Sequence, residues 1–166
     1  PFPCRQSFLS AYHAEDIAVV GQGVIDGNAT NSTWWVDVKK RKIGRPKLVF
    51  LNKCENVRFH GILGRNSACW NFHPFFCKNV YFYNIAVEAP KDSPNTDVTD
   101  PESCDDVRYI GVRFSVGDEA IAIKAGKMTA SGSGYIKIDG TEYKTVTGFT
   151  AGTDYTNSFT YYLDPN

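Results

Sequence analysis

Apolar and polar residues alternate in short runs along roughly the first three quarters of the chain. Each run follows a pair of polar residues, and a Gly or Asn separates it from a second, shorter apolar run. Alternation of this kind, rich in Val, Ile, Phe and Tyr, is typical of half-buried β-strands. The longer runs occupy residues 17–20, 57–60, 80–83 and 107–110.

These runs belong to four aligned segments, which begin at Ala14, Cys54, Cys77 and Cys104 and are therefore 40, 23 and 27 residues apart. The first interval contains an insertion, residues 34–46, with a run of basic residues. A period in the twenties with short strands and no helical pattern predicts a β-solenoid. Leucine-rich repeats share the period, but their leucine template does not fit. The chain is therefore predicted to be all-β.

The equivalent repeat positions predict two columns of side chains. Ala14, Cys54, Cys77 and Cys104 share one position, so stacked coils about 4.8 Å apart would place them in a column. We expect the three thiols to be reduced and buried, because a straight ladder seldom has disulfide geometry. The second column, expected to hydrogen-bond to the backbone of neighbouring coils, consists of Asp16, Asn56, Asn79 and Asp106.

Composition narrows the function classes. The 18 basic and 18 acidic residues cancel, so no bulk charge attracts the chain to nucleic acid or to a membrane surface. No apolar stretch approaches the roughly 20 residues that span a bilayer. The five cysteines form no CxxC pair, and zinc-finger spacing is absent. We therefore expect no nucleic acid, no membrane, no metal and no cofactor.

Six short motifs stand in order on this repeat. Together they resemble the polygalacturonases of glycoside hydrolase family 28, over about residues 7–127 and most closely the exo-acting branch. The resemblance implies a right-handed parallel β-helix of about five rungs across residues 1–128, a pectin-degrading ancestry and a secreted or periplasmic location. The motifs are GQGVIDG at 21–27, WW at 34–35, RP at 45–46, NSACWNFHP at 66–74, NTD at 95–97 and GDEAIAIK at 117–124.

The acidic residues of the last two motifs are the candidate catalysts. Asp97 and Asp118 lie 21 residues apart, close to one coil, so we expect them on adjacent rungs of one face. Adjacent rungs hold carboxylates about 5 Å apart, and a lateral offset can widen this separation toward the roughly 6.5–9.5 Å of inverting glycosidases. Close like charges also raise one pKa, which keeps a general acid protonated. The alternative is that both are ordinary turn residues.

The resemblance also implies roles. Asp118 would protonate the leaving oxygen, while Asp97 and Glu119 would hold and activate the water. Asn95 and Lys124 would bind the substrate, a galacturonan or pectin-like oligosaccharide.

Departures from the family pattern argue against activity. Val98 stands where the family has Gly, and a β-branched residue tolerates positive φ poorly. Glu119 replaces an Asp, so its carboxylate would be displaced by about 1 Å, which can cost about 10²-fold in rate. No His follows His73 and no RxK pair follows Lys127. We expect the three histidines, His13, His60 and His73, to be packing or ladder residues.

The resulting functional expectation is a non-catalytic or barely active β-helix fragment derived from a pectin-degrading hydrolase, in an engineered or chimeric scaffold. The alternative is an inverting polygalacturonase that hydrolyses α-1,4-galacturonan.

The C-terminal part of the chain has a different pattern. Small residues at 129–134 predict a linker, and residues 135–144 predict a hairpin with an Asp-Gly turn. The β-rich tail, residues 135–166, would cap the solenoid end or form a homo-oligomer.

Overall fold

The computed structural model describes residues 4–29, 33–35, 44–124, 133–138 and 141–147. These residues form β-strands and one 3₁₀ helix, Thr33–Trp35, and no helix among them is long and apolar enough to cross a membrane. The strands are β1 (Leu9–Tyr12), β2 (Glu15–Val20), β3 (Val24–Asp26), β4 (Val49–Asn52), β5 (Glu55–His60), β6 (Leu63–Arg65), β7 (Phe72–Phe75), β8 (Lys78–Tyr83), β9 (Ala86–Glu88), β10 (Asp105–Ile110), β11 (Arg113–Ser115), β12 (Ser133–Ile138) and β13 (Thr141–Thr147).

Successive strands of each coil belong to three different parallel sheets. One sheet has the order β1-β4-β7, the second β10-β8-β5-β2 and the third β11-β9-β6-β3. The second sheet keeps one register throughout, with Ile17 opposite Val57, Val57 opposite Val80, and Val80 opposite Val107. These three parallel sheets confirm the predicted parallel β-helix.

The first sheet continues beyond β7 through isolated bridges instead of regular strands. Phe72 pairs with Thr99, which pairs in turn with Ile121. Backbone hydrogen bonds hold the same rungs together, from Asn71 N–H to the Asp97 carbonyl at 2.9 Å and from Val98 N–H to the Glu119 carbonyl at 3.0 Å. This extension carries the candidate acids.

The core is built from the inward positions that the alternation predicts. In β5, Val57 and Phe59 are buried, whereas Arg58 and His60 between and after them are exposed. Aromatic rings stack from coil to coil: Phe59 and Phe82 have centroids 5.2 Å apart and an interplanar angle of 8°. The stack continues to Tyr109 at 5.1 Å and 2°. Stacking of equivalent positions is therefore the source of both the ladder and the core.

The predicted thiol column is present. All five cysteines are free, and the Cys54 N–H donates to Cys77 Sγ while the Cys77 N–H donates to Cys104 Sγ, each at 3.4 Å. Cys54 and Cys77 are buried, as expected. Cys104 is only partly buried, because it stands at the end of the column within the described residues.

The polar column differs from the prediction. Its side chains bond to one another and not to the backbone: Asn79 Nδ2 donates to Asn56 Oδ1 at 2.9 Å, and Asn56 Nδ2 donates to Asp16 Oδ1 at 3.1 Å. All four members have φ between 53° and 55°, a left-handed conformation that Asn and Asp tolerate. Asp106 instead accepts hydrogen bonds from Tyr81 and Arg108.

Outside the helix, β12 and β13 pair antiparallel, which confirms the predicted C-terminal antiparallel segment. β12 begins at Ser133, so the last two residues of the predicted linker belong to that strand. The described residues do not include the predicted Asp139-Gly140 turn, residues 129–132 or residues 148–166. The division into helix, linker and tail, with its capping or oligomerisation role, stays a prediction.

Candidate active site

Three carboxylates meet where the first sheet extends beyond β7. An oxygen of each of Asp97, Asp118 and Glu119 lies within 4.8 Å of the others. Asp97 is buried at 3% exposure, whereas Asp118 and Glu119 are exposed. The nearest oxygens of Asp97 and Asp118 thus agree with the expectation of about 5 Å for carboxylates on adjacent rungs, and a wider separation of the whole carboxyl groups stays a prediction.

The three carboxylates differ in proton affinity. A hydrogen bond with Glu119 and a 2.7 Å hydrogen bond from the backbone N–H of Asn95 lower the pKa of Asp118. The same hydrogen bond with Asp118 raises the pKa of Glu119. Burial, reinforced by the charge of Asp118, raises the pKa of Asp97. Asp118 and Glu119 therefore titrate as a coupled pair in which Glu119 has the raised pKa and Asp118 the lowered one.

Arg45 fixes the loop that presents Asn95. Its guanidinium is 8% exposed and donates 2.9 Å hydrogen bonds to the carbonyls of Ala68 and Pro94, and a further one to Asn95 Oδ1. The sequence singled out Arg45 only as part of a motif. A buried guanidinium with three oxygen acceptors is instead a structural brace that holds the Asp118 side of the site.

The loops of the two acidic motifs are also tied together directly. Thr96 Oγ1 donates to the Ser93 carbonyl at 2.8 Å and accepts from the Gly117 N–H at 3.0 Å. A Cβ at Gly117 would lie 2.4 Å from the Ser93 carbonyl oxygen, so this position requires glycine. Close approach of the two backbones explains why a glycine precedes the acidic pair.

Asp100 is a further carboxylate that the sequence reasoning missed. It is fully buried, and its Oδ1 lies 3.2 Å from Lys124 Nζ. Burial and the nearby Asp97 raise the pKa of Asp100 to about 8, against the opposing effect of Lys124. The sequence does show Asp100, as the second acidic residue of the segment NTDVTD at residues 95–100. Lys124, predicted to bind substrate, is held here by Asp100, and its substrate role stays a prediction.

The predicted strain at Val98 is wrong. Val98 is not among the residues with positive φ, and it is 2% exposed in the core. Its N–H donates within the sheet extension, where an extended backbone suits a β-branched residue. Positive φ falls instead on Asn95, at 59°.

The three histidines form no hydrogen bond with Asp97, Asp118 or Glu119 in the described part of the chain. His73 Nε2 is 3.0 Å from Glu102, and its ring packs edge-on against Trp70 with centroids 4.9 Å apart, the packing role predicted for it. His60 contacts the equivalent Tyr83 of the next coil. His13 is exposed with φ 51°.

The carboxylate cluster would also suit a cation, because Ca²⁺ and Mg²⁺ prefer carboxylate oxygens. Three oxygens from different residues within 4.8 Å satisfy the geometric minimum for such a site. The expectation of no metal therefore stays a prediction.

The sequence profile described as "Glycosyl hydrolases family 28" matches residues 4–153. The chain belongs to glycoside hydrolase family 28. The match to this family includes the predicted linker and part of the predicted tail, which gives no support to a foreign origin for that part.

Individual members of the family agree. The chain is 32% identical over 123 residues to a probable polygalacturonase of Vitis vinifera, covering 72% of this chain and 25% of the relative. It is 30% identical over 134 residues to an endo-polygalacturonase of Pectobacterium carotovorum, covering 73% and 33%. The chain thus spans between a quarter and a third of the length of these two relatives.

Solved structures of the family share the fold. A polygalacturonase from Erwinia carotovora has a TM-score of 0.67 at 25% identity, covering 72% of this chain and 35% of that one. A hyperthermoactive exopolygalacturonase from Thermotoga maritima has a TM-score of 0.67 at 28% identity, covering 74% and 35%. Both endo- and exo-acting proteins are thus similar to the chain, and assignment to the exo-acting branch stays a prediction.

Proposed function

We propose that the carboxylate cluster hydrolyses the glycosidic bonds of α-1,4-galacturonan. The observation that carries this proposal is the meeting of Asp97, Asp118 and Glu119 within 4.8 Å on one site. Paired carboxylates of unequal proton affinity are what glycoside hydrolysis uses, one as acid and one as base. Family membership and the names of the relatives supply the substrate class.

In this mechanism Asp118 donates a proton to the glycosidic oxygen while the bond to the anomeric carbon breaks. Asp97 accepts a proton from a water molecule, whose oxygen forms the new bond to that carbon, and Glu119 helps to hold the water. Asp118 must carry this proton when the substrate binds, and its hydrogen bond with Glu119 couples the protonation of the two carboxyl groups. The raised pKa of Asp97 suits a general base.

A reducing-sugar assay on polygalacturonate tests the proposal. We expect Asp118→Asn to lower turnover by about 10²–10⁴-fold, the contribution typical of a general acid. Asp105→Asn is the matched control, because Asp105 is an exposed carboxylate at the start of β10. Equal turnover in the wild type and the Asp118→Asn variant would contradict the proposal.

The second candidate is a β-helix that binds galacturonan without cleaving it, including the engineered or chimeric scaffold expected from the sequence. One observation favours it: the hydrogen bonds to Asp118 lower the pKa of the residue that must act as acid. A wild-type chain that binds oligogalacturonate and releases no reducing ends would support this candidate.

A further inference from the structure

Two ammonium groups contact one tryptophan beside the carboxylate cluster. Lys47 Nζ lies 5.1 Å and Lys124 Nζ 4.7 Å from the ring centroid of Trp70. Trp70 directly precedes Asn71, whose backbone and side-chain nitrogens both donate to the Asp97 carbonyl. The tryptophan therefore belongs to the rung next to Asp97, on the N-terminal side of the acids.

The two lysines differ in their polar partners. Lys124 Nζ lies 3.2 Å from Oδ1 of the buried Asp100, and the Lys124 side chain is only 25% exposed. No ion pair joins Lys47 to a carboxylate within the described part of the chain. Its Nζ also lies 5.4 Å from the ring centroid of Phe50, so two aromatic side chains hold it in place. Lys47 thus offers a positioned positive charge that no described carboxylate neutralises.

We propose that Lys47, held against Trp70, binds the carboxylate of a galacturonate unit on the N-terminal side of the acids. The inference rests on the proposed function, since it assumes that galacturonan lies across these rungs. Each unit of that polymer carries one carboxylate, and a charge-assisted hydrogen bond from an ammonium is the stronger kind of polar contact. Lys124, whose Nζ lies 3.2 Å from Asp100, contacts the same Trp70 ring. A neutral, methyl-esterified unit would lack the contact.

Binding of tetragalacturonate, measured by calorimetry in the Asp118→Asn background, tests the inference without turnover. We expect Lys47→Gln to weaken binding by about tenfold, as a lost charge-assisted bond would, and Lys47→Arg to retain most of the affinity. Lys78→Gln is the matched control, because Lys78 is an exposed lysine that lies beside Glu55 on the second sheet. Methyl-esterified tetragalacturonate should bind equally to the parent protein and the Lys47→Gln variant.

The outcomes separate the inference from the proposed function. If Lys47→Gln binds tetragalacturonate as tightly as the parent protein, the inference is wrong, while hydrolysis by the wild type would still support the proposed function. If binding depends on Lys47 but the wild type releases no reducing ends, the hydrolase proposal fails and the inference stands. A parent protein that does not bind tetragalacturonate would overturn the inference. Unchanged melting temperatures would show that the variants are folded.

Discussion

The backbone N–H of Asn95 donates a 2.7 Å hydrogen bond to Oδ2 of Asp118. This contact joins the two acidic motifs, which lie on successive coils, at the side chain that we propose as the general acid. It depends on a loop that Arg45 holds through two backbone carbonyls and the side chain of Asn95. The ionisation of Asp118 is therefore linked to a guanidinium 73 residues earlier in the chain.

Arg45→Lys should loosen this loop and raise the pKa of Asp118. Lysine keeps the charge but lacks the planar fork that reaches three oxygens at once. We expect hydrolysis to fall by about tenfold or more, since misplacement of about 1 Å can cost about 10²-fold. Carbon-13 NMR titration of the Asp118 carboxyl measures the pKa directly. Arg58→Lys, at an exposed position of β5, is the control, and an unchanged Asp118 titration in Arg45→Lys would contradict the prediction.

Asp100→Asn should change how stability depends on pH. The pKa of Asp100 is raised from 3.8 to about 8 by burial, so the folded state binds its proton more tightly than the unfolded state. Its contribution is fully favourable below about pH 4 and is lost as pH rises toward about 8. The wild type should therefore lose stability over this interval relative to the variant. Melting temperatures from pH 4 to pH 8 would show it, and parallel curves for the two proteins would contradict it.

Phe82→Ala should remove the middle of the aromatic stack. Phe82 is fully buried between Phe59 and Tyr109, so its loss leaves a cavity as well as unburied apolar surface. We expect a loss of about 3–5 kcal/mol in the free energy of unfolding, measured by urea denaturation. Phe114→Ala removes the same ring at a position that is 52% exposed. A similar loss of unfolding free energy in both variants would show that the aromatic stack contributes no more to stability than an exposed ring.

Thiol reactivity should follow burial and not pKa. A hydrogen bond to Cys104 lowers the pKa of Cys77 to about 7, but the side chain is buried. We expect iodoacetamide at neutral pH to label exposed Cys4 first, and Cys54 and Cys77 only after unfolding. Mass spectrometry of digested protein at successive times gives the order. Labelling of Cys77 as fast as Cys4 in the native state would mean that the column is open to solvent.

The sequence was most informative where one position repeats from coil to coil. Cys54, Cys77 and Cys104 occupy equivalent places in the alignment, and stacking coils necessarily places equivalent residues together. The proximity of Asp97 and Asp118 follows from the same argument, because about one coil of sequence separates them. Periodicity alone therefore predicted a β-solenoid, the thiol column and the meeting of Asp97 and Asp118, whereas the right-handed parallel β-helix followed from the family resemblance.

The remaining features depend on contacts between positions that do not repeat. Arg45 reaches Asn95 across 50 residues, and no periodic pattern links the two. Asp100 is unusual because it is fully buried and because Lys124, on the next rung, lies 3.2 Å from it. Neither feature can be read from its position in the sequence. The prediction of strain at Val98 was wrong for a related reason. The sequence indicated a replaced glycine but not the backbone conformation, and the positive φ falls on Asn95 instead.

The polar ladder shows that coil length and coil stacking are independent. Its members Asp16 and Asn56 are 40 residues apart, whereas Asn56 and Asn79 are 23 apart, and both pairs bond in the same way. The longer coil has its additional residues between β3 and β4, and the strands on either side keep their register with the next coil. The number of residues between two strands of a coil can therefore change without moving the rungs, provided that residues such as Arg45, which reaches Asn95 from this segment, keep their places.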